Sequence, residues 1–323
     1  MQNIRDRLEG YQVSLYFGAV VLAGLIALLI PGTVALEGMV NPALAFMLFA
    51  TFLQVPLADL RRSLTRGRFL AALFAANFVA IPLLVALMLQ FLPSDPMVRL
   101  GVLLVLLTPC IDYVVTFSHL GRADARLLLA ATPVLLVAQL LLLPFYLSLL
   151  LSNEVTILVK PGPFIEAFIW LIAVPLALAG LVQLWATRRQ AGAKALVTLS
   201  VLPVPATVFV LFVVVATVVP QLGAAIEAAL LVIPFYLAFA VIAPLVGWAI
   251  GLLFRLDAPA GRALAFSAGT RNSLVILPLA LAVPGAIPLL PAVIVTQTLV
   301  ELLSELVYVR YIAKLGGRDL AVS

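Results

Sequence analysis

The chain has 323 residues, of which 65% are hydrophobic and only 10% are charged, and its mean hydropathy is +1.24. A typical soluble domain is about 45–50% apolar and about 25% charged, so this composition argues against a soluble enzyme or a nucleic-acid-binding domain. The net charge of +5 fits basic loops at a membrane surface, and the single Cys and single His exclude an intramolecular disulfide and a multi-histidine metal site.

Apolar stretches of roughly 20 residues, the length that crosses a bilayer core, recur along nearly the whole chain. They predict about ten transmembrane helices and leave no segment for a soluble domain. The first stretch follows Arg5 and Arg7, as in a signal peptide, but Val13–Ile30 is longer than an h-region of about 7–15 residues, and we interpret it as a true span. The predicted spans lie near 12–31, 38–58, 69–92, 97–119, 125–151, 164–186, 195–219, 225–254, 262–284 and 287–313.

The basic residues predict the orientation of these spans. With the N-terminus in the cytoplasm, every loop satisfies the positive-inside rule. Of the 19 lysines and arginines, only Arg99 and Lys160 then lie outside, and Arg271 falls within a span. A miscounted helix would have inverted all later loops, so the pattern supports ten spans. We therefore expect a multi-pass protein of the cell membrane (plasma or inner membrane) with both termini in the cytoplasm.

The two halves of the chain are interrupted at matching points. Each half has five predicted spans, an odd number, so residues 156–323 should fold as an inverted copy of residues 1–155. Polar residues and helix breakers interrupt span four at Thr108–Asp112 and span nine at Ser267–Ser273. Discontinuous helices of this kind form the binding sites of many secondary transporters. We predict an all-α integral membrane protein of two inverted five-helix repeats, in which broken helices four and nine cross.

The residues of each interruption suit a helix terminus inside the membrane. Thr108 can cap a helix and Pro109 suits its first position, which would place Cys110 at a positive helix end that stabilises a thiolate. In span nine, Asn272 or Ser273 can cap the helix that follows. The alternative is a proline kink in one span and a packing contact of a small residue in the other.

Four charged residues fall within predicted spans, where each costs at least about 2.5–3.5 kcal/mol, and they are therefore candidates for function. Asp112 and Arg271 lie at corresponding points of the two interruptions, just past Pro109 and Gly269, which predicts a buried ion pair or a static strut between the halves. Glu301 lies midway along span ten and is our first candidate for a proton carrier. The alternative is a protonated Glu301 bonded to a neighbouring helix. Glu305, one turn nearer the cytoplasm, is expected to line a vestibule.

Short motifs from span two to span ten follow the pattern of one transporter group. Cys110-Ile111 carries the single cysteine of span four, and Leu299-Val300-Glu301 carries the acidic residue of span ten. Further matching residues are Pro56-Leu57-Ala58, Arg61, Asn77, Pro82, Val114, Ser118, Leu120, Asp124-Ala125 and Leu306–Val309. These segments resemble the bile acid:sodium symporter superfamily, and within it the arsenical-resistance permeases that export arsenite. The resemblance implies a functional cysteine at Cys110 and places the family's tenth-span glutamate at Glu301.

Span nine departs from that pattern. The arsenical-resistance permeases have two Asn, an aromatic residue and a Glu where this chain has Arg271–Leu274. The sodium symporters of the superfamily have a carboxylate and a Gln roughly where Ser267 and Arg271 lie here. Because a fixed guanidinium repels sodium, which requires oxygen ligands, we expect a proton rather than sodium as the coupling ion.

The chemistry of arsenite gives Cys110 a role that does not depend on the resemblance. Trivalent arsenic is soft and favours thiolate, and one thiolate binds it briefly where three would trap it. We therefore predict a secondary active transporter that exports arsenite, or antimonite, on the proton gradient. The predicted substrate-binding residues are Cys110, Asn272 and Ser273, the predicted charge network is Asp112, Arg271 and Glu301, and no metal or cofactor is expected.

Several alternatives stay open. A lone buried cysteine can be a small packing residue. Arg271 beside a helix end would also suit a proton- or sodium-coupled importer of a small organic anion, such as a bile-acid-like or vitamin carboxylate. An intramembrane enzyme is disfavoured because the chain has no Ser/His or metal-ligand cluster. The chain has no phosphate-binding loop, so an ion gradient or a partner ATPase would supply the energy.

Overall fold

In a computed structural model of the chain, the described residues are mostly helical and contain no β-strand. The predicted site residue Asp112 and the loop residues Arg61 and Lys160 lie outside the described residues. The described residues are 2–30, 32–54, 67–111, 113–151, 162, 166, 169–281, 283, 285 and 288–317.

Fourteen α-helices are formed by the described residues. Those of the first half are α1 (Gln2–Leu29), α2 (Glu37–Gln54), α3 (Gly67–Ala75), α4 (Ile81–Leu89), α5 (Pro96–Leu106), α6 (Val114–Leu120) and α7 (Ala125–Leu150). Those of the second half are α8 (Val174–Arg188), α9 (Gln190–Leu199), α10 (Pro203–Val218), α11 (Ile226–Leu253), α12 (Ala258–Gly269), α13 (Ser273–Leu281) and α14 (Leu289–Tyr311). The π-helical turns Ala76–Ala80 and Ile169–Ala173 lead directly into α4 and α8.

The all-α membrane fold is confirmed. Among the described residues, six helical segments are long and apolar enough to cross a membrane, and two bent helix pairs raise that number to eight. These eight coincide within a few residues with the predicted spans other than four and nine. Spans five and seven, predicted as single helices, are both bent. In span five, α7 bends by 53° between Thr132 and Val134, and in span seven the axes of α9 and α10 differ by 43°. In span seven the second helix begins at Pro203, where the missing N–H costs nothing.

Spans four and nine are broken, as predicted. In span four, α5 ends at Leu106 and α6 begins at Val114. In span nine, α12 ends at Gly269 and α13 begins at Ser273. Each predicted interruption therefore separates two short helices.

The chain forms two compact units. The first comprises Met1–Leu57, Val159–Ile226 and Leu277–Val295, and the second comprises Ala58–Leu158, Glu227–Ile276 and Thr296–Ser323. The first unit thus draws on spans one, two, six and seven, and the second on spans three to five, span eight and most of spans nine and ten. Corresponding spans of the two predicted repeats fall in the same unit. The inverted repeat itself stays a prediction.

In the first unit, α10 packs against both α1 and α2. The contact with α1 contains the small side chains Ala23 and Ala216, with Val215 beside them. Small residues let two helices approach closely, which is how helices associate where lipid offers no hydrophobic driving force.

In the second unit, α12 is the innermost helix. Every residue from Ala260 to Gly269 is buried, and α12 contacts α3, α6 and α7. The backbone of α11 also lies against it, because a Cβ added to Gly247 would lie 2.7 Å from the Cβ of Ala268 and 2.8 Å from the carbonyl oxygen of Leu264. The mostly small and apolar sequence of α12 fits a helix that is enclosed on all sides. Its C-terminal end is the second break.

Candidate functional site

The two helix breaks pair with each other through their backbones. The N–H of Cys110 donates to the carbonyl of Thr270 at 3.0 Å, and the N–H of Asn272 donates to the carbonyl of Thr108 at 2.8 Å. Together these bonds form an isolated antiparallel bridge. Backbone groups that leave a helix inside a bilayer need partners within the protein, and each break supplies them to the other. The breaks of spans four and nine therefore meet, as the predicted crossing requires.

Cys110 is buried in this bridge but does not begin a helix. Only 1% of the residue is exposed, and the helix of span four resumes at Val114. The hydroxyl of Thr108 donates back to the Leu104 carbonyl at 2.9 Å, so it supports the end of α5 and does not cap α6. The prediction of a helix N-terminus at Cys110 is therefore wrong. The reason is that the backbone at Pro109 and Cys110 pairs with span nine instead of turning into a helix.

Asn272 and Ser273 begin α13, as predicted. Oδ1 of Asn272 accepts the N–H of Val275 at 3.3 Å, which is the bond of a helix cap. Nδ2 of Asn272 is buried and has no hydrogen-bond partner in the part of the chain that the structure describes. Oγ of Ser273 accepts from the hydroxyl of Thr298 at 2.7 Å, which ties the start of α13 to span ten.

The guanidinium of Arg271 is fully buried among neutral oxygen acceptors. Nη1 donates to the carbonyl of Leu106 at 3.3 Å, and Nη2 donates to the carbonyls of Ser267 and Ala268 and to Oδ1 of Asn77. The three carbonyls belong to the last turns of α5 and α12. Two half-helices therefore direct their negative dipole ends at one cation, which stabilises its charge.

Asn77 and Phe239 complete the surroundings of this guanidinium. Asn77 lies in the π-helical turn of span three, a distortion that is frequent at functional sites. Its Nδ2 donates to Oγ of Ser267 at 3.0 Å, and its Oδ1 lies 2.9 Å from Nη2 of Arg271. The guanidinium carbon lies 5.5 Å from the centre of the Phe239 ring, within cation–π range. The ion pair of Arg271 with Asp112 stays a prediction, because Asp112 is outside the described residues.

The carboxyl of Glu301 is bonded to both breaks. Oε1 accepts from the hydroxyl of Tyr113, which ends the first break, at 2.5 Å. Oε2 accepts the backbone N–H of Arg271, in the second break, at 2.6 Å and the side-chain amide of Gln297 at 2.5 Å. The structure thus places Glu301 at the crossing, together with Cys110, Arg271 and Asn272.

Glu305 belongs to the same site, and the expectation that it lines a vestibule is wrong. The residue is fully buried. Its Oε1 lies 2.5 Å from the hydroxyl oxygen of Thr270, which in turn lies 2.7 Å from the carbonyl oxygen of Phe266. Oε2 of Glu305 has no hydrogen-bond partner among the described residues. The cause is the helical period of α14, which keeps Glu305 on the same face as Glu301 and so against the end of α12.

The site is closed in this structure. A cavity of about 10 Å³ lies beside Glu301, and its polar lining includes Tyr236, Gln297 and Tyr308. A volume of this size holds about one water molecule. A solute would therefore need the surrounding helices to move before it could enter.

Two contributors to the site were not predicted from the sequence. Tyr113 directly follows the polar segment of span four, and Thr270 lies within that of span nine, so both were open to prediction from position alone. Neither carries a charge, and charged residues within spans were the main signal for function. Asn77 matches the family pattern, and a single amide in a span is commonly an interhelical hydrogen-bonding residue, which is the role that it has here.

Comparison with known proteins identifies one family. The model of the Sodium Bile acid symporter family matches residues 41–223, more than half of the chain. The matched range contains Asn77, Cys110 and Tyr113 and ends before span eight. No curated protein matches the chain. The chain therefore belongs to the sodium bile acid symporter family, a family of solute transporters.

Proposed function

We propose that this protein is a secondary active transporter that exports arsenite, or antimonite, on the proton gradient through the crossing of its broken helices. Family membership supports a solute transporter, and one connection in the site carries the finer proposal. The carbonyl of Thr270 accepts the N–H of Cys110. The next peptide N–H, that of Arg271, donates to Glu301. The cysteine and the carboxyl are thus joined through two consecutive residues of span nine.

The immediate surroundings of Cys110 suit a metalloid hydroxide. A single thiolate binds soft trivalent arsenic reversibly, whereas three would retain it. Asn272, on the same backbone bridge, has a buried amide donor with no partner among the described residues. That donor suits a hydroxyl oxygen of arsenite, which is a neutral trihydroxide at neutral pH. The Cys110 sulfur would then bind the arsenic atom, and the Asn272 amide would bind a hydroxyl oxygen of the substrate.

The growth of an arsenite-sensitive host tests the proposal. Expression of the unmodified chain should permit growth on arsenite, and Cys110→Ser should abolish that protection at equal protein levels. Ala206→Ser is the matched control, because it introduces the same hydroxyl at a buried position of α10 in the other unit and should leave protection intact. Protection by Cys110→Ser equal to that of the unmodified chain would contradict the ligand role of the thiol.

The position of Arg271 supports proton coupling over sodium coupling. In transporters with discontinuous helices, unwound carbonyls and half-helix C-terminal ends coordinate the coupling cation. Here the carbonyls at the ends of α5 and α12, with the Asn77 amide oxygen, accept from the guanidinium. Because a guanidinium stays charged in proteins, this group of oxygens already holds a permanent cation, tethered to the chain.

A comparison of thermal stability in NaCl and KCl tests this sodium independence. The purified unmodified protein should unfold at the same temperature in both salts. Arg271→Gln removes the tethered cation from the oxygen cluster, and its unfolding temperature should become higher in NaCl than in KCl. Arg262→Gln is the control, because Arg262 is also buried and bonded to the carbonyls of Arg122 and Leu315, away from the breaks. A sodium-specific stabilisation of the unmodified protein would contradict the assignment.

An importer of a small organic anion remains the second candidate. Its supporting observation is Nε of Arg271, which is buried and has no partner among the described residues, so one guanidinium donor could serve a carboxylate. This function predicts the opposite mutational pattern. Uptake of the anion would survive Cys110→Ser and be lost in Arg271→Ala.

A further inference from the structure

Two buried glutamates of α14, one turn apart, are bonded in opposite ways. Glu301 accepts from three donors, and two of these, the peptide N–H of Arg271 and the amide of Gln297, cannot themselves accept a hydrogen bond. A proton on Oε2 would face these two donors, so a protonated Glu301 would need its hydrogen on Oε1, and the Tyr113 hydroxyl would then have to donate to the carbonyl of Arg271, 3.4 Å away. The contacts of Glu301 therefore fit the ionised carboxylate.

The contacts of Glu305 fit the neutral acid. The hydroxyl oxygen of Thr270 lies within hydrogen-bond distance of both Glu305 and the carbonyl of Phe266. A hydroxyl carries one hydrogen, and a carbonyl can only accept. When Thr270 donates to Phe266, the second short contact is a hydrogen bond only if Glu305 donates to Thr270. Oε2 of Glu305, buried and without a partner among the described residues, also argues against a charge on this carboxyl.

The charges around Glu305 favour the same state. Glu301 and Tyr308 lie near it on its own helix, and Arg271 of span nine interacts with both of these groups. Arg271 and the ionised Glu301 balance each other. An ionised Glu305 would add a second negative charge in a buried region, where the described residues offer it one hydrogen bond, from Thr270.

We propose that Glu305, and not Glu301, holds the exchangeable proton of this site; its use in coupling rests on the transport function proposed above. When the site opens to water on one side of the membrane, the O–H bond of Glu305 breaks, the proton passes to water and Glu305 becomes a carboxylate. The Thr270 hydroxyl then turns from Phe266 to Glu305. That turn removes one of the two hydrogen bonds that the Phe266 carbonyl accepts and leaves the one from the backbone N–H of Thr270, the residue that pairs with Cys110. Proton release thereby weakens the helix end at the crossing.

Infrared difference spectroscopy of the full-length protein in lipid tests the protonation state without any substrate. The spectrum of the unmodified protein minus that of Glu305→Gln should contain a carboxylic acid C=O band that shifts in D₂O. The same subtraction with Glu301→Gln should contain carboxylate bands instead. Carboxylate bands in the Glu305→Gln subtraction would overturn the proposal. Gln is a suitable replacement because its amide can donate to Thr270 as the acid does.

Reconstituted vesicles test the coupling step, with arsenite as the probe. Glu305→Gln should lose arsenite uptake driven by a pH gradient, because it cannot release a proton. Uptake by Glu305→Gln equal to that of the unmodified protein would overturn the coupling role. If the unmodified protein carries no arsenite at all, the proposed function fails, while the infrared bands still decide which glutamate is protonated.

Discussion

At the residue scale, the site is defined by which groups can donate and which can only accept. The guanidinium of Arg271 is satisfied by carbonyl and amide oxygens, while the backbone N–H of the same residue bonds to Glu301. One residue of the break thus serves two separate parts of the site. Any substitution at the crossing has to be judged by the donors and acceptors that it leaves without partners.

Replacing the two glutamates by Gln should have unequal effects on stability. In Glu301→Gln an NH₂ group must replace one of two oxygens that accept hydrogen bonds. It then either faces two donors at the Oε2 position or turns the Tyr113 hydroxyl toward the Arg271 carbonyl 3.4 Å away, and a buried donor left without a good partner costs roughly 1–3 kcal/mol. In Glu305→Gln the amide can still donate to Thr270, so the free energy of unfolding should hardly change. Unfolding of the detergent-purified variants, monitored at several temperatures, measures both. A larger loss for Glu305→Gln than for Glu301→Gln would contradict the bonding described for them.

At the element scale, the fold depends on the close approach of α11 to α12 and on the pairing of the two breaks. Helix α12 is enclosed by neighbouring helices, and its C-terminal end supplies carbonyls to Arg271. A shift of α12 would therefore disturb the guanidinium site even though no site residue had changed.

Enlarging Gly247 tests this dependence. In Gly247→Ala the new methyl group meets the Ala268 side chain and the Leu264 carbonyl, both under 3 Å away, and overpacking of this kind costs typically about 1–3 kcal/mol. Gly24→Ala in α1 is the matched control, since nothing lies within 4 Å of its added Cβ. Alanine favours a helix over glycine by up to about 1 kcal/mol, so the control should be neutral or stabilising. Equal unfolding temperatures for the two variants would show that the approach of α11 is not tight.

The spans and both breaks could be predicted from the sequence because a bilayer permits few alternatives to a helix. Helix breakers and polar residues in an apolar run are informative there, and Glu301 stood out by its cost. The restart of span four at Val114 could not be predicted, because it results from backbone pairing with a distant segment. The burial of Glu305 was missed for the same reason, since its partner Thr270 comes from another span.

At the scale of the whole molecule, each compact unit contains corresponding spans of both halves of the chain. We propose that this composition reflects two inverted five-helix repeats, residues 1–155 and 156–323. An inverted repeat of five spans requires the loops after spans three and six to lie on opposite sides of the membrane, which also follows from the basic residues.

Labelling of single cysteines tests this topology. In a Cys110→Ala background, a cysteine at Ser94 should react with a membrane-impermeant maleimide in intact cells. A cysteine at Gln190 should react only after the membrane is opened. Both positions are exposed in the structure, so access within the protein does not differ. Labelling of the Gln190 position in intact cells would contradict cytoplasmic termini.

Arsenite flux into reconstituted vesicles tests the central claim most directly. We predict that a pH gradient drives arsenite uptake by the unmodified protein in sodium-free buffer, that added sodium changes nothing, and that Cys110→Ser abolishes the uptake. Uptake that requires sodium, uptake that does not respond to the pH gradient, or transport by the Cys110→Ser protein as fast as by the unmodified one would contradict this function.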